Sequence, residues 1–539
     1  MKTTITLISA VLVLFITQAS AQPAEEWVAR YNGGGVDQLY DMTVDGSGNI
    51  YVTGASIQEA AFTPDFLTIK YNSSGEKQWE KAYNGIAGSD DRAYVIAVDA
   101  PGNVYVTGST GYDNSIVTIK YNSLGDTLWI RSYTGSGSGH NWTFPTSIFV
   151  DDSGYVYVAG TSENSFSLHG LTQDYTIFKY SPLGVQLWVA RYNGPGDDAD
   201  WVNSMTVDSL GNVYVTGTAG GGSTGSADSY NDITTIKYNS EGTVIWEKTY
   251  IGPGTSWDEG SMITLDNLGN VYVTGKTVSS TSTHEDIITI KYTNDGTELW
   301  KKFFNGPGST TDEGTALAVD KMHSVYVTGK SYYSSLNGFD IITIKYDSLG
   351  TQLWAQNFNG FSNENDIAKE IALDDAGNIY VLGTTVNTTT SEDYQLIKYD
   401  PAGTRQWEEK FTNSNGAGSQ EYAVALFVDE LNNIYAAGMS ALDYAVVKYS
   451  PHTGVEKMPG QRSVTLFPNP SGGKFTVKMD NSEVGMIEIY NLQGEKIYYA
   501  LNLKQQTSNE IDLTSHSKGI YFVKINAGDK IITKKIVIQ

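Results

Sequence analysis

One pattern recurs eight times along this chain: an apolar run, Val-Asp-x-x-Gly-Asn-Val-Tyr-Val-Thr-Gly, then Asp-x-x-Thr-Ile-Lys-Tyr-Asn-x-x-Gly-x-x-x-Trp. Its tryptophans fall at Trp27, Trp79, Trp129, Trp188, Trp246, Trp300, Trp354 and Trp407, at steps of 52, 50, 59, 58, 54, 54 and 53 residues. A fixed period of this size belongs to solenoids, propellers or arrays, whose units bury their apolar faces only against neighbours. In the fifth copy, Ser261 to Leu265 and Val271 to Gly275 flank a short turn from Asp266 to Asn270. Ile287 to Tyr292 then leads through a second glycine turn, at Gly296, into the strand that carries Trp300. Two hairpins per copy give four short strands, here called a, b, c and d.

Eight four-stranded units predict an all-β fold, an eight-bladed β-propeller, in which radial repetition leaves only short sheet edges. Seven blades with one displaced unit is the alternative. The last copy has Met458 where its tryptophan belongs, so the segment Trp27 to Tyr31 is expected to supply the missing outer strand and tie the ends together. The repeats resemble the SBBP-type β-propeller repeat of bacterial extracellular proteins over about residues 26–458. That resemblance implies a fold and an exported setting, and no activity.

The chain ends and the charge limit what such a scaffold does. Residues 1–21 have the plan of a signal peptide: Lys2, an apolar stretch from Ile5 to Ile16, and a cleavage site at Ala19 to Ala21. That stretch is too short for a stable membrane span. There is no cysteine, which excludes disulfides and thiol chemistry. The formal net charge is −25 and is concentrated in the repeats, so a nucleic-acid partner is excluded on electrostatic grounds.

Residues present in every copy belong to the scaffold. The tryptophans are expected to pack neighbouring blades. The strand-c lysines (Lys70, Lys120, Lys179, Lys237, Lys291, Lys345, Lys398 and Lys448) belong to the same class. So do the aspartates five residues before seven of them, with Ser115 in the second copy, which are expected as loop caps or blade-to-blade pairs. Antiparallel order puts the even a–b and c–d turns on one face and the variable b–c and d–a loops on the other, where binding is expected. Three tryptophans outside the repeat register, Trp142, Trp201 and Trp257, fall in d–a loops of adjacent copies. Tyr230, Tyr332, Asp200 and Asp258 accompany them as candidate ligand-binding residues, with His169, His284, Tyr333, Phe339 and further acids nearby. Aromatics with carboxylates suit stacking on sugar rings or docking a peptide; each indole acting as a lid over its own blade is the competing reading.

Enzyme signatures fail. The sialidase Asp-box needs a three-residue step from Gly to Trp, and the step here is four, as in Gly75 to Trp79. The six histidines are scattered without metal-ligand spacing. No catalytic residue, metal site or cofactor is therefore expected, although Asp-rich loops can hold Ca²⁺ incidentally. The expected function is a secreted or cell-surface binding or adhesion scaffold with a glycan or protein ligand. The alternative is a polysaccharide-active or other hydrolase using loop-face carboxylates.

After a linker at 459–462, residues 463–539 lose the repeat, the tryptophans and the acidity, and read as a small immunoglobulin-like β-sandwich of short strands. They resemble the type A sorting domain of the Bacteroidota type IX secretion system. The resemblance rests on Phe467, Pro468, Asn469 and Pro470, the Ile489 to Gly494 hairpin, Leu513, Gly519 to Val523 including Tyr521, and the terminal Lys534 to Ile538 including Lys535. It implies the secretion machinery as a partner, passage through the periplasm, and attachment to the surface or release.

Overall fold

A computed structural model describes residues 22–57, 63–85, 88–111, 115–135, 143–163, 173–196, 199–221, 230–253, 257–278, 284–308, 310–334, 338–360, 364–387, 391–412, 420–451, 464–467, 471–479, 484–491, 494–503, 508–527 and 530–538. The expected signal peptide, Trp142, His169, Met458 and the Pro468–Pro470 motif lie outside them. Every element among the described residues is a β-strand. Two compact units emerge, Met1–Thr453 and Gly454–Gln539.

The first unit is a β-propeller with eight four-stranded sheets among the described residues, seven of them ordered a-b-c-d in chain sequence. The fifth, for example, runs Glu259–Leu265, Val271–Thr277, Asp286–Tyr292 and Glu298–Phe304. Each strand a packs on strand a of the next sheet, and the eighth packs back on the first. In the eighth sheet the outer strand is Ala24–Tyr31, which pairs antiparallel with Asp443–Ser450.

The repeated residues explain why these segments form hairpins and how the sheets join. At the fifth a–b turn, Asp266 Oδ1 accepts the Leu268 and Asn270 amides, each at 2.9 Å. Its Oδ2 accepts Asn270 Nδ2 at 2.8 Å and the Tyr272 hydroxyl at 2.9 Å, while Gly269 takes φ +79°. Each blade tryptophan reaches the following sheet. Trp246 Nε1 donates to the Asn294 carbonyl at 2.9 Å, and its ring sits 6.2 Å from Tyr214 and 6.1 Å from Tyr292. A Cβ on Gly296 (φ +83°) would come within 2.9 Å of that indole, so the turn needs glycine for both backbone and room. The strand-c Lys237 caps the same Asn294 carbonyl at 3.2 Å while lying 4.9 Å over the Tyr214 ring.

Every strand a carries a β-bulge at the same place, as between Leu39 and Asp41 or between Ala368 and Glu370. A bulge bends the strand and re-aims the side chains beside it. It sends the Asp41 carboxylate across to the Ile96 amide of the next innermost strand at 2.9 Å.

The second unit holds a three-stranded sheet (Val464–Phe467, Lys474–Met479, Ser508–Asp512) and a four-stranded one (Lys496–Leu503, Val484–Tyr490, Gly519–Ala527, Lys530–Ile538). Phe475, Val477, Ile487, Ile489, Ile511 and Val523 are among its fully buried core. The strand Ser508–Asp512 is polar enough to have escaped the sequence pattern.

Candidate ligand-binding face

The loop face is organised by an acid at the entry of strand a. Asp37, Asp91, Asp200, Asp258, Asp312, Asp366 and Glu421 hold this place in seven sheets and Thr143 in the third, all at 0–1% exposure. Asp200 Oδ2 accepts the Gly194 amide of the d–a loop at 2.6 Å, and Oδ1 accepts Gly220 of the b–c strand end at 2.8 Å. Asp258 grips Gly252 likewise at 2.6 Å. Their backbone amides donate to the preceding sheet, Asp200 to the Gln173 carbonyl at 2.5 Å and Asp258 to Asn231 at 2.8 Å. Asp200 and Asp258, expected to meet a ligand, are thus buried with their carboxylates on loop amides, as buried polar groups require. A sequence signal for this job exists, a glycine six residues upstream, at Gly85, Gly194, Gly252, Gly306 and Gly360.

The residue directly after the acid occupies one place in all eight sheets and differs in almost every one: Gln38, Arg92, Phe144, Trp201, Glu259, Glu313, Ile367 and Tyr422. At the fourth and fifth sheets it is joined by Trp257, which precedes Asp258. The rings of Trp201 and Trp257 stack at 5.5 Å with 12° between their planes. Trp201 opens its strand a, so it lies at a strand start and not within the d–a loop, and its Nε1 donates to Gln173 Oε1. Trp257 remains 46% exposed.

From this stack a ladder of charges runs across the neighbouring sheets. Asn203 Nδ2 donates to Glu259 Oε1 at 3.2 Å. Lys276 lies 3.3 Å from Glu259 and 3.7 Å from Glu313, and Lys330 lies 3.0 Å from Glu313. Burial works against the Lys276 charge, but Glu313 and Glu259 outweigh it and hold the ammonium above its usual pKa. Lys330 in turn sits 5.4 Å over Phe339, which meets Tyr332 edge-on at 5.4 Å, with Tyr333 exposed beside them. Tyr332 and Phe339 stand on extended strands b and c, so the b–c loop is shorter than the sequence suggested. Tyr230 likewise opens a strand c, Tyr230–Tyr238.

A second acidic feature escaped the sequence reading. Asp41 and Glu370, both just past the bulges of innermost strands, keep partial exposure while lying deep among protein atoms. Burial pushes Asp41 up to about 7 against the Ile96 and Met42 amides. Burial, then the Asp41 charge, pushes Glu370 up to about 8, with Lys369 pulling the other way.

In the second unit, Gly494 closes the Asn491 turn at φ +80°, donating to the Asn491 carbonyl at 3.1 Å. Tyr521 is a core residue whose hydroxyl donates to the Ser517 carbonyl. Gly519 starts the strand opposite Ile538, and Lys534 and Lys535 are exposed on the last strand.

These features define a β-propeller followed in the chain by a small β-sandwich. Residues 465–539 match the secretion system C-terminal sorting domain. Segments 26–57, 187–223 and 248–280 match the beta-propeller repeat family. The sorting domain marks the chain for export to the cell surface or the extracellular space, and no helix among the described residues is long and apolar enough to cross a membrane. No curated protein matches the chain. Among solved structures, PorZ, an essential bacterial surface component of the type-IX secretion system of Porphyromonas gingivalis, aligns over 93% of this chain and 70% of its own. Its identity is 14% and its TM-score 0.41. The β-propeller domain of the Trilobed protease from Pyrococcus furiosus covers 70% of this chain and 97% of its own, at 9% identity and TM-score 0.40. Polysaccharide lyase Uly1 covers 79% and 100%, at 11% identity and TM-score 0.40.

Proposed function

We propose that this protein is an exported binding scaffold that captures an extracellular glycan or peptide on the arc between its fourth and sixth sheets. The observation that carries the reading is the Trp201–Trp257 stack, in which an indole at the rim position that changes from sheet to sheet meets a half-exposed one just before the next entry acid. A rigid aromatic flanked by paired charges provides a flat stacking surface with directional hydrogen-bonding groups beside it, at little ordering cost. Trp201 ties down one indole through Gln173, leaving Trp257 to offer the outer ring face. The test is a glycan and peptide array probed with the full chain and with Trp257→Ala. A ligand that binds both equally removes this reading.

A second reading, hydrolysis, draws on the Asp41 and Glu370 carboxyls, since strongly shifted acids that feel one another's charge are candidates for proton transfer. Glu370→Gln would then abolish turnover of a polysaccharide panel. Asp41 is already engaged by two backbone amides, which favours a binding role for the protein over catalysis.

A further inference from the structure

The acid at the entry of each strand a has a neighbour: the aspartate at the start of strand c in the preceding sheet. At five junctions a backbone bond clamps the two places together, as Asp312 N to the carbonyl of Glu285, the residue before Asp286, at 2.7 Å. The pairs are Asp443–Asp37, Asp65–Asp91, Asp174–Asp200, Asp232–Asp258, Asp286–Asp312, Asp340–Asp366 and Asp393–Glu421. The remaining junction has Ser115 and Thr143, so both acids are missing together.

A cation meets some of these pairs from one position of strand d; in the first, fourth and fifth sheets that position is Ala82, Thr249 and Phe303. At the third sheet it is Arg191, 3.8 Å from Asp174, and at the seventh it is Lys410, in contact with Asp393. In the second sheet, where the acids are absent, the same position is Ser132. At the sixth sheet it is Asn357, a neutral amide, which donates to Asp340 Oδ2 at 2.5 Å.

The Asp340–Asp366 junction therefore keeps two carboxylates and no cationic side chain at the place where its neighbour has Lys410. Asn365 Oδ1 accepts the Phe339 amide at 3.1 Å, linking the residues that precede each acid. Asp340 is 0% and Asp366 1% exposed. Gly360 donates to Asp366 Oδ2 at 2.5 Å, and the Val386 amide also favours this carboxylate. Asp340 Oδ1 is buried without a hydrogen-bond partner. Burial, followed by backbone bonds and the Asp340 charge, leaves Asp366 raised to about 6. Two buried like charges are not stable without a compensating cation or proton.

We propose that this junction is a cation site, taking a hard divalent ion such as Ca²⁺ between Asp340 and Asp366 where the next junction is filled by the Lys410 ammonium. Carboxylate oxygens are the donors such an ion prefers, and it completes its shell with carbonyls and water.

The experiment uses the full chain, stripped with chelator and returned to neutral pH. Bound calcium is counted by equilibrium dialysis, and thermal unfolding is followed with and without CaCl₂. The wild type is expected to bind calcium and unfold a few degrees higher with it, since a ligand of the folded state alone stabilises that state. Asn357→Lys supplies the missing ammonium: it is expected to fold as well as the calcium-free wild type or better, and to bind one equivalent less. Asp340→Asn is expected to lose the same equivalent. A wild type that binds no calcium overturns the proposal. So does an Asn357→Lys variant that binds as many ions as the wild type. Stabilisation by acid alone, with calcium inert, would mean the pair shares a proton, and the proposal would likewise fall.

Discussion

Two tryptophans of the same neighbourhood, Trp246 and Trp257, do opposite things. Trp246 belongs to the repeat, is 9% exposed, and wedges between Tyr214 and Tyr292 with its nitrogen on the next sheet's turn. Trp257 lies eleven residues on, outside the repeat, at 46% exposure, and touches a second off-register indole. The first is dictated by what every sheet needs from its neighbour. The second lies outside that shared frame, which is why the proposed function is built on it.

The largest effect should come from the frame. Trp246→Ala removes a buried aromatic that nothing nearby replaces, and should lower stability by about 3–5 kcal/mol in denaturant unfolding. Ligand capture by whatever remains folded should be unaltered. An effect near zero would erase the distinction between the two indoles.

Asp200→Ala comes next. It strips the Gly194 and Gly220 amides of their acceptor at 2.6 and 2.8 Å, and each buried amide left unpaired is expected to cost about 1–3 kcal/mol. If Asp200 instead met the ligand, binding would fall while stability held, and chemical denaturation beside a binding titration separates the two outcomes.

The innermost strands predict a pH response. Glu370 and Asp41 are raised to about 8 and about 7, so the folded state holds protons that the unfolded chain releases near pH 4. The stability this confers is full below pH 4 and is lost as pH rises through 7 and 8. Unfolding temperatures should therefore fall between pH 5 and pH 8.5, and Glu370→Gln should flatten that slope. An unchanged slope in the variant would place the titration elsewhere.

Trp257→Ala should show the smallest stability change, about 1 kcal/mol or less, because half of the ring faces water and only the stacking contact is lost. A loss as large as that of Trp246→Ala would make Trp257 a lid.

Much of this was legible in the sequence because the same mechanical problem is solved in each sheet by the same residues. The turn aspartates, strand-c lysines and blade tryptophans announce themselves by recurrence, and the outer strand around Trp27 follows from the gap in the last copy. The entry acids were harder to see. Loops of unequal length precede them, so Asp200 and Asp258 stood out as local loop carboxylates when they are members of a series running from Asp37 to Glu421. Burial of a carboxylate is not written in composition. Nor is the approach of Asp41 and Glu370, which depends on bulges that turn residues of different sheets towards a common interior. The stacking of Trp201 on Trp257 needed only that consecutive copies be neighbours, and that much the period already implied.

The closing strand sets an order of events. Arg30 reaches Ser440 across 410 positions of chain at 2.5 Å, and Trp27 lays its ring against Gly75 of the first sheet. A polypeptide emerging from its N-terminal end cannot make the first of these contacts until almost all repeats have followed, and closing so long a loop is entropically expensive. Until then the last sheet lacks its outer strand, and the ring of sheets is closed only when the two ends of the repeats meet.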